Sequence, residues 1–156
     1  MELRDLLSVT AIVISSISLY FSLRKNMDDN RLDFVRKKAE TTTTLELIRV
    51  LETEVIEHYA LLAQTINKLE PPSKERDAKL NAIVEFVNKY LKQQEDTNDS
   101  ISSLENYELP KGKISLEERI VMEDVAKRVE MNRQMMEMAK ASIKRLIEHT
   151  QQEAKN

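Results

Sequence analysis

The residues that interrupt helices are confined to two places in this 156-residue chain: Pro71 with Pro72, then Pro110 with Gly112, the only glycine. Sheets need frequent tight turns, and tight turns draw on glycine and proline. So few breakers among abundant Glu, Lys, Leu and Met predict long helices and an all-α fold. One glycine also excludes a glycine-rich phosphate loop and a GxSxG nucleophile elbow. Cysteine is absent, which excludes disulfides, thiolate metal sites and thiol catalysis. Lys and Arg number 24 against 27 Asp and Glu, a balance that argues against a general nucleic-acid binder. Lys111 to Lys113 is too short for a nucleic-acid patch.

From Leu6 to Leu23 the chain reads LLSVTAIVISSISLYFSL, 18 residues with no charge, proline or glycine. As a helix these span roughly 27 Å, close to the hydrocarbon thickness of a bilayer. The hydroxyls within the run can bond back to carbonyls one turn earlier, so they are compatible with insertion. A cleaved signal peptide fits less well. MELRD carries little positive charge, the apolar run exceeds a usual h-region, and no small-x-small cleavage pattern follows it. The expectation is an uncleaved anchor over residues 1–25 and a helical cytoplasmic domain over residues 26–156. Arg24, Lys25, Arg31, Arg36, Lys37 and Lys38 follow the run, whereas only Arg4 and the amino terminus precede it. Basic residues favour the cytoplasmic side. That places the N-terminus outside, the body inside, and Tyr20 and Phe21 at the inner boundary. Within the run, Ser8, Ala11, Ser15, Ser18 and Ser22 recur at steps of three and four and share one stripe. Small and hydroxylated residues let helices approach closely in lipid. The stripe is therefore a candidate oligomer face, the lining of a pore in a ring of helices, or a set of serines tolerated on a lone anchor.

The body divides into three amphipathic segments, expected over about 31–69, 74–94 and 116–152. Asn26 to Asn30 is the expected hinge, the alternative being a helix that runs straight through. The first seam runs Leu32, Val35, Ala39, Thr42, Leu45, Ile48, Leu51, Val55, Tyr59, Leu62, Ile66 and Leu69. Pro71-Pro72 ends it and Ser73 can cap the next helix. That second helix carries Leu80, Ile83, Val84, Val87, Tyr90 and Leu91 on one face. Asp96 to Lys113 reads as the main loop, with room for a helical turn between Ser100 and Tyr107. Ser115-Leu-Glu-Glu118 has the form of a capping box. A heptad seam follows through Met122, Val125, Val129, Asn132, Met136, Ala139, Ile143 and Leu146, with Asn132 placed to set register or partner number. Met131, Met135, Met138 and Ser142 form a second stripe, read as adaptable core rather than a partner face. The middle segment is the shortest, so the long helices are left partly uncovered and a homo-oligomer is expected.

Residues able to carry chemistry are few. Glu54 and His58 share a helix face, but no further His or Cys lies nearby in sequence, so no metal and no cofactor is expected. Arg145-Leu-Ile-Glu-His149 resembles the Arg-to-His pair of HEPN-type ribonucleases, with a shorter gap than that family usually has and no polar residue after Arg145. There the Arg would hold phosphate charge and the His would move the proton of the attacking hydroxyl. The alternative is two surface residues on the last turns.

The plan of MELRDLLSVTAIVISSISLYFSLRKN followed by charged helices resembles small bacterial single-pass membrane proteins. It is similar to the accessory membrane protein of type VI-B CRISPR systems. That resemblance rests on the plan, on Leu6 to Leu23, and loosely on Arg145 and His149. It implies a ring-shaped pore of the bacterial inner membrane supporting antiviral defence, with the Ser stripe lining or packing the pore and Arg145 and His149 structural or vestigial. The expected function is assembly and interaction at the membrane rather than catalysis. A pore effector is the first alternative and a HEPN-like ribonuclease the second. Expected partners are the membrane, further copies of the chain and a protein partner on the Met-rich helix, with no specific nucleic acid.

Overall fold

The computed structural model describes residues 3–109 and 113–153, with side chains from Ser15 onward. Among the described residues there are three helices and no strand: α1 (Leu3–Leu69), α2 (Lys74–Glu105) and α3 (Leu116–Glu153). The breaks fall where the breakers are. Pro71-Pro72 ends α1, and Ser73 starts α2, its hydroxyl accepting the Arg76 amide at 3.1 Å. At α3 the capping box closes in both directions. The Glu118 amide donates to Ser115 Oγ at 3.1 Å and the Ser115 amide donates to Glu118 Oε2 at 2.7 Å. Those bonds satisfy amides that the first helical turn leaves without partners, and they hold the Glu118 carboxyl below its usual range.

α1 packs on both of its neighbours and forms the spine of a helical bundle. It runs antiparallel to α2, since Glu52 meets Thr97 while Phe34 meets Tyr107. It runs parallel to α3, since Phe34 packs with Met122 and Glu54 pairs with Lys140. The main core joins Leu45, Ile48, Leu51, Val55, Leu62 and Ile66 of α1 to Ile83 and Ile101 of α2 and to Met136, Ile143 and Ile147 of α3. A smaller cluster of Phe34, Ile114 and Met122 closes the end nearest the connection between α2 and α3. At that end Lys38 Nζ donates to the carbonyls of Tyr107, at 3.0 Å, and Glu105, at 3.5 Å. A cation there satisfies acceptors that the end of α2 leaves open.

Several expectations are corrected. The Asn26 to Asn30 hinge does not exist: α1 runs through it as helix. α2 extends to Glu105, so much of the expected loop from Asp96 is helical, and Thr97, Ile101 and Leu104 carry its inner face onward. At the start of the first seam, Leu32, Val35 and Ala39 are exposed, and Phe34 and Thr41 are buried in their place. Leu69, Val84 and Leu91 are also exposed. On α3 the seam ends on Ile147, and Leu146 faces solvent. An α-helix has 3.6 residues per turn, so a strict seven-residue stripe drifts around it, and by the last turns the adjacent position faces the core. The four consecutive threonines stay helical. Thr41, Thr42 and Thr44 each donate to the carbonyl four residues back, at 2.7, 3.0 and 2.9 Å.

Candidate functional sites

The first candidate is the arm of α1 that precedes the bundle. Every side chain from Ser15 to Asp29 is exposed. Ile17, Leu19, Tyr20, Phe21 and Leu23 therefore sit uncovered, with Phe21 61% accessible. Ser15, Ser18 and Ser22 of the small-residue stripe lie exposed on this arm, whereas the side chains of Ser8 and Ala11 lie outside the described ones. The side chains of the first half of the uncharged run, Leu6 to Ile14, lie outside them as well. Among the described residues no helix is long and apolar enough to cross a membrane. Arg24, Lys25 and Arg31 follow the run on the same continuous helix.

The second is a polar layer inside the bundle that periodicity did not single out. Glu52 of α1 is 0% exposed. Thr97 Oγ1 donates to its Oε1 at 3.0 Å, and its Oε2 has no hydrogen-bond partner. Beside it, Gln93 Nε2 of α2 donates to Asn132 Oδ1 of α3 at 3.4 Å and lies 3.6 Å from Met136 Sδ. Burial pushes the Glu52 carboxyl above its ordinary value. Bonds from Thr97 and Gln93 oppose that shift, and Asp96 adds to it. The signal was present in the sequence: Ile48, Glu52 and Val55 step by four and three, so a carboxylate occupies the seam. Asn132 stands on its own seam as expected, but its partner is Gln93 of the same chain.

The remaining sequence candidates are not brought together. Arg145 and His149 both face solvent on the last turns of α3, and the contact His149 makes is to Glu153, Nδ1 to Oε2 at 3.4 Å. Glu54 and His58 do not form a ligand pair. The Glu54 carboxylate is held by Lys140 at 2.7 Å, and His58 Nδ1 lies 2.5 Å from the Glu54 carbonyl. Among the described residues no group of His, Asp and Glu is arranged to hold a metal. Of the heptad positions, Met122, Met136 and Ile143 are buried, while Val125, Val129, Asn132 and Ala139 are half-buried. The second stripe is not core: Met131, Met135, Met138 and Ser142 are exposed, Met138 at 70%. A cleft of about 240 Å³ separates the start of α3 from α1 beside Phe34. Its cations Arg36, Lys37 and Arg119 are matched by Asp33, Glu40 and Glu123, so it prefers neither sign of ligand.

No family model matches the chain, and no curated protein or solved structure matches it.

Proposed function

We propose that this chain is a single-pass membrane protein of the bacterial inner membrane, acting by assembly and interaction rather than by catalysis. The observation that carries the reading is the bare apolar arm. A helix with Ile17, Leu19, Tyr20, Phe21 and Leu23 all uncovered continues an uncharged run long enough to cross a bilayer. Each large apolar side chain left in water forfeits about 1.5–3 kcal/mol of burial, so a row of them calls for a covering medium. Lipid suits a lone helix because α1 satisfies its own backbone bonds. The basic residues after Leu23 orient the bundle toward the cytoplasm. α1 then passes unbroken from the anchor into the bundle, and the exposed Met131, Met135 and Met138 face offers an adaptable surface to a further copy or a partner protein. Oligomer mass in detergent tests the assembly. Discrete multimers are expected, and a strict monomer at micromolar concentration contradicts it.

The pore effector is the second reading, favoured by the recurrence of Ser15, Ser18 and Ser22 at steps of three and four along one stripe of the arm. A ring of such arms presents hydroxyls to a shared lumen, in keeping with the resemblance to CRISPR-associated membrane pores and antiviral defence. Purified oligomer reconstituted in dye-loaded liposomes tests it: leakage supports the pore, and tight vesicles leave the tether alone.

A further inference from the structure

Among the described residues, Glu52 is the one acidic side chain that the bundle closes over completely, at 0% exposure. A carboxylate leaving water needs partners for both oxygens, or it gives up its charge. Here one oxygen has Thr97 and the other has nothing, and no cation among the described residues pairs with it. The groups around it are distributed unevenly. α2 presents Thr97, Gln93 and a second carboxylate, Asp96, which disfavours charge on Glu52. α3 presents Asn132 and Met136 beyond Gln93, and its cations Arg133 and Lys140 are engaged by Glu130, Glu137 and Glu54. On α1 itself, Glu54 is taken by Lys140, and Arg49 is exposed.

The two flanking helices are also held differently. α3 buries Met122, Met136, Ile143 and Ile147 and carries the Lys140–Glu54 ion pair to α1. α2 buries just two apolar side chains, Ile83 and Ile101, together with Thr97, and its polar bonds to α1 are Gln94 to Thr53 at 2.8 Å, Thr97 to Glu52, and Lys38 to the Glu105 carbonyl at 3.5 Å. Charge on Glu52 therefore acts against the helix that is held less firmly.

We propose that α2 is a proton-sensitive flap: the bundle closes over a neutral Glu52, and loss of that proton to bulk water loosens α2 from α1 while α3 stays docked. Loosening α2 uncovers Tyr59, whose ring stacks on Phe86 and lies against Tyr90 in the closed bundle. The flap thus links cytoplasmic pH to exposure of an aromatic patch on the helix that continues into the arm.

Amide hydrogen exchange on the full-length chain in a mild non-ionic detergent tests this, at pH 5 and pH 8 with intrinsic rates corrected. Protection across Ile83 to Ile101 is expected to fall from pH 5 to pH 8 on the order of tenfold more than protection across Met136 to Ile147. Glu52→Gln keeps the shape and removes the charge, so α2 protection becomes the same at both pH values. Asp96→Asn narrows the difference. Equal changes in α2 and α3, a Glu52→Gln chain that retains the pH response, or a Glu52→Gln chain that fails to fold each overturns the flap.

Discussion

Lys140 Nζ lies 2.7 Å from Glu54 Oε2, a contact between residues 86 apart that locks α3 parallel to α1. Both side chains are a little over one-third exposed, so water screens the pair and its worth is small. A double-mutant cycle of Lys140→Ala and Glu54→Ala is expected to give a coupling of about 0.2–1 kcal/mol, read by thermal unfolding followed by circular dichroism. A coupling near zero would show that the register of α3 rests on its apolar seam alone.

Inside the bundle the costs are larger. Ile48 is 0% exposed at the centre of the main core. Ile48→Ala is expected to lower stability by about 2–5 kcal/mol, whereas the same change at exposed Leu47 should cost well under half of that. Denaturant midpoints for the two variants check the contrast.

Glu52 makes stability depend on pH with a defined sign. Its carboxyl is raised in the folded bundle, chiefly by burial. The folded form therefore binds the proton more tightly than the unfolded chain does. The resulting stabilisation is complete below the ordinary carboxylate value and is lost as pH rises through the raised value of the buried group. Glu52→Gln should melt higher than the parent chain at pH 8. Thr97→Val removes the hydroxyl that donates to Glu52 at 3.0 Å and should destabilise by about 1–3 kcal/mol at the same pH. A parent chain whose Glu52-dependent melting difference grows on acidification instead contradicts the assignment.

Much of this architecture could be read from residue order. Pro71-Pro72, Ser73 and the Ser115/Glu118 box sit where the helices break and start, because each has a local reason that tertiary contacts do not override. The middle of α1, from Leu45 to Ile66, is buried as its spacing requires. Misreadings came where two spacings were both allowed. Leu32 and Val35 are apolar and in phase, yet the helix has no neighbour on that side so near the end of the bundle, and Phe34 turns inward to meet Tyr107 and Met122. Asp96 to Ser100 looks like a turn by composition, but Thr97 and Ile101 gain partners on α1, and helix propensity is too small a term to oppose that. Glu52 is masked in the pattern because Leu51 fits the seam equally well; both are buried.

The arm yields a prediction on the pore reading. Ser15→Leu or Ser18→Leu places a large apolar group on the small-residue stripe and makes the anchor more hydrophobic, so insertion is not impaired. Either variant should remain membrane-bound and lose liposome leakage at least tenfold relative to the parent oligomer, a change worth about 1.4 kcal/mol in the conducting equilibrium. Unchanged leakage from both variants removes the stripe from the conduction path.

His149 and Arg145 test the ribonuclease reading. Both are exposed, and His149 contacts Glu153. His149→Ala is expected to leave stability within about 0.5 kcal/mol and every cellular effect of expression unchanged. Loss of an RNA-cleavage phenotype in that variant would restore a catalytic role.

The central claim is that lipid covers the arm that the bundle leaves bare. Alkaline carbonate extraction of membranes from cells producing the full-length chain addresses it most directly, because the wash strips peripheral proteins and leaves spanning helices in place. The chain should stay in the membrane pellet and enter solution only with detergent. Release into the carbonate supernatant, or a full-length preparation that stays dispersed in plain buffer, would contradict the account.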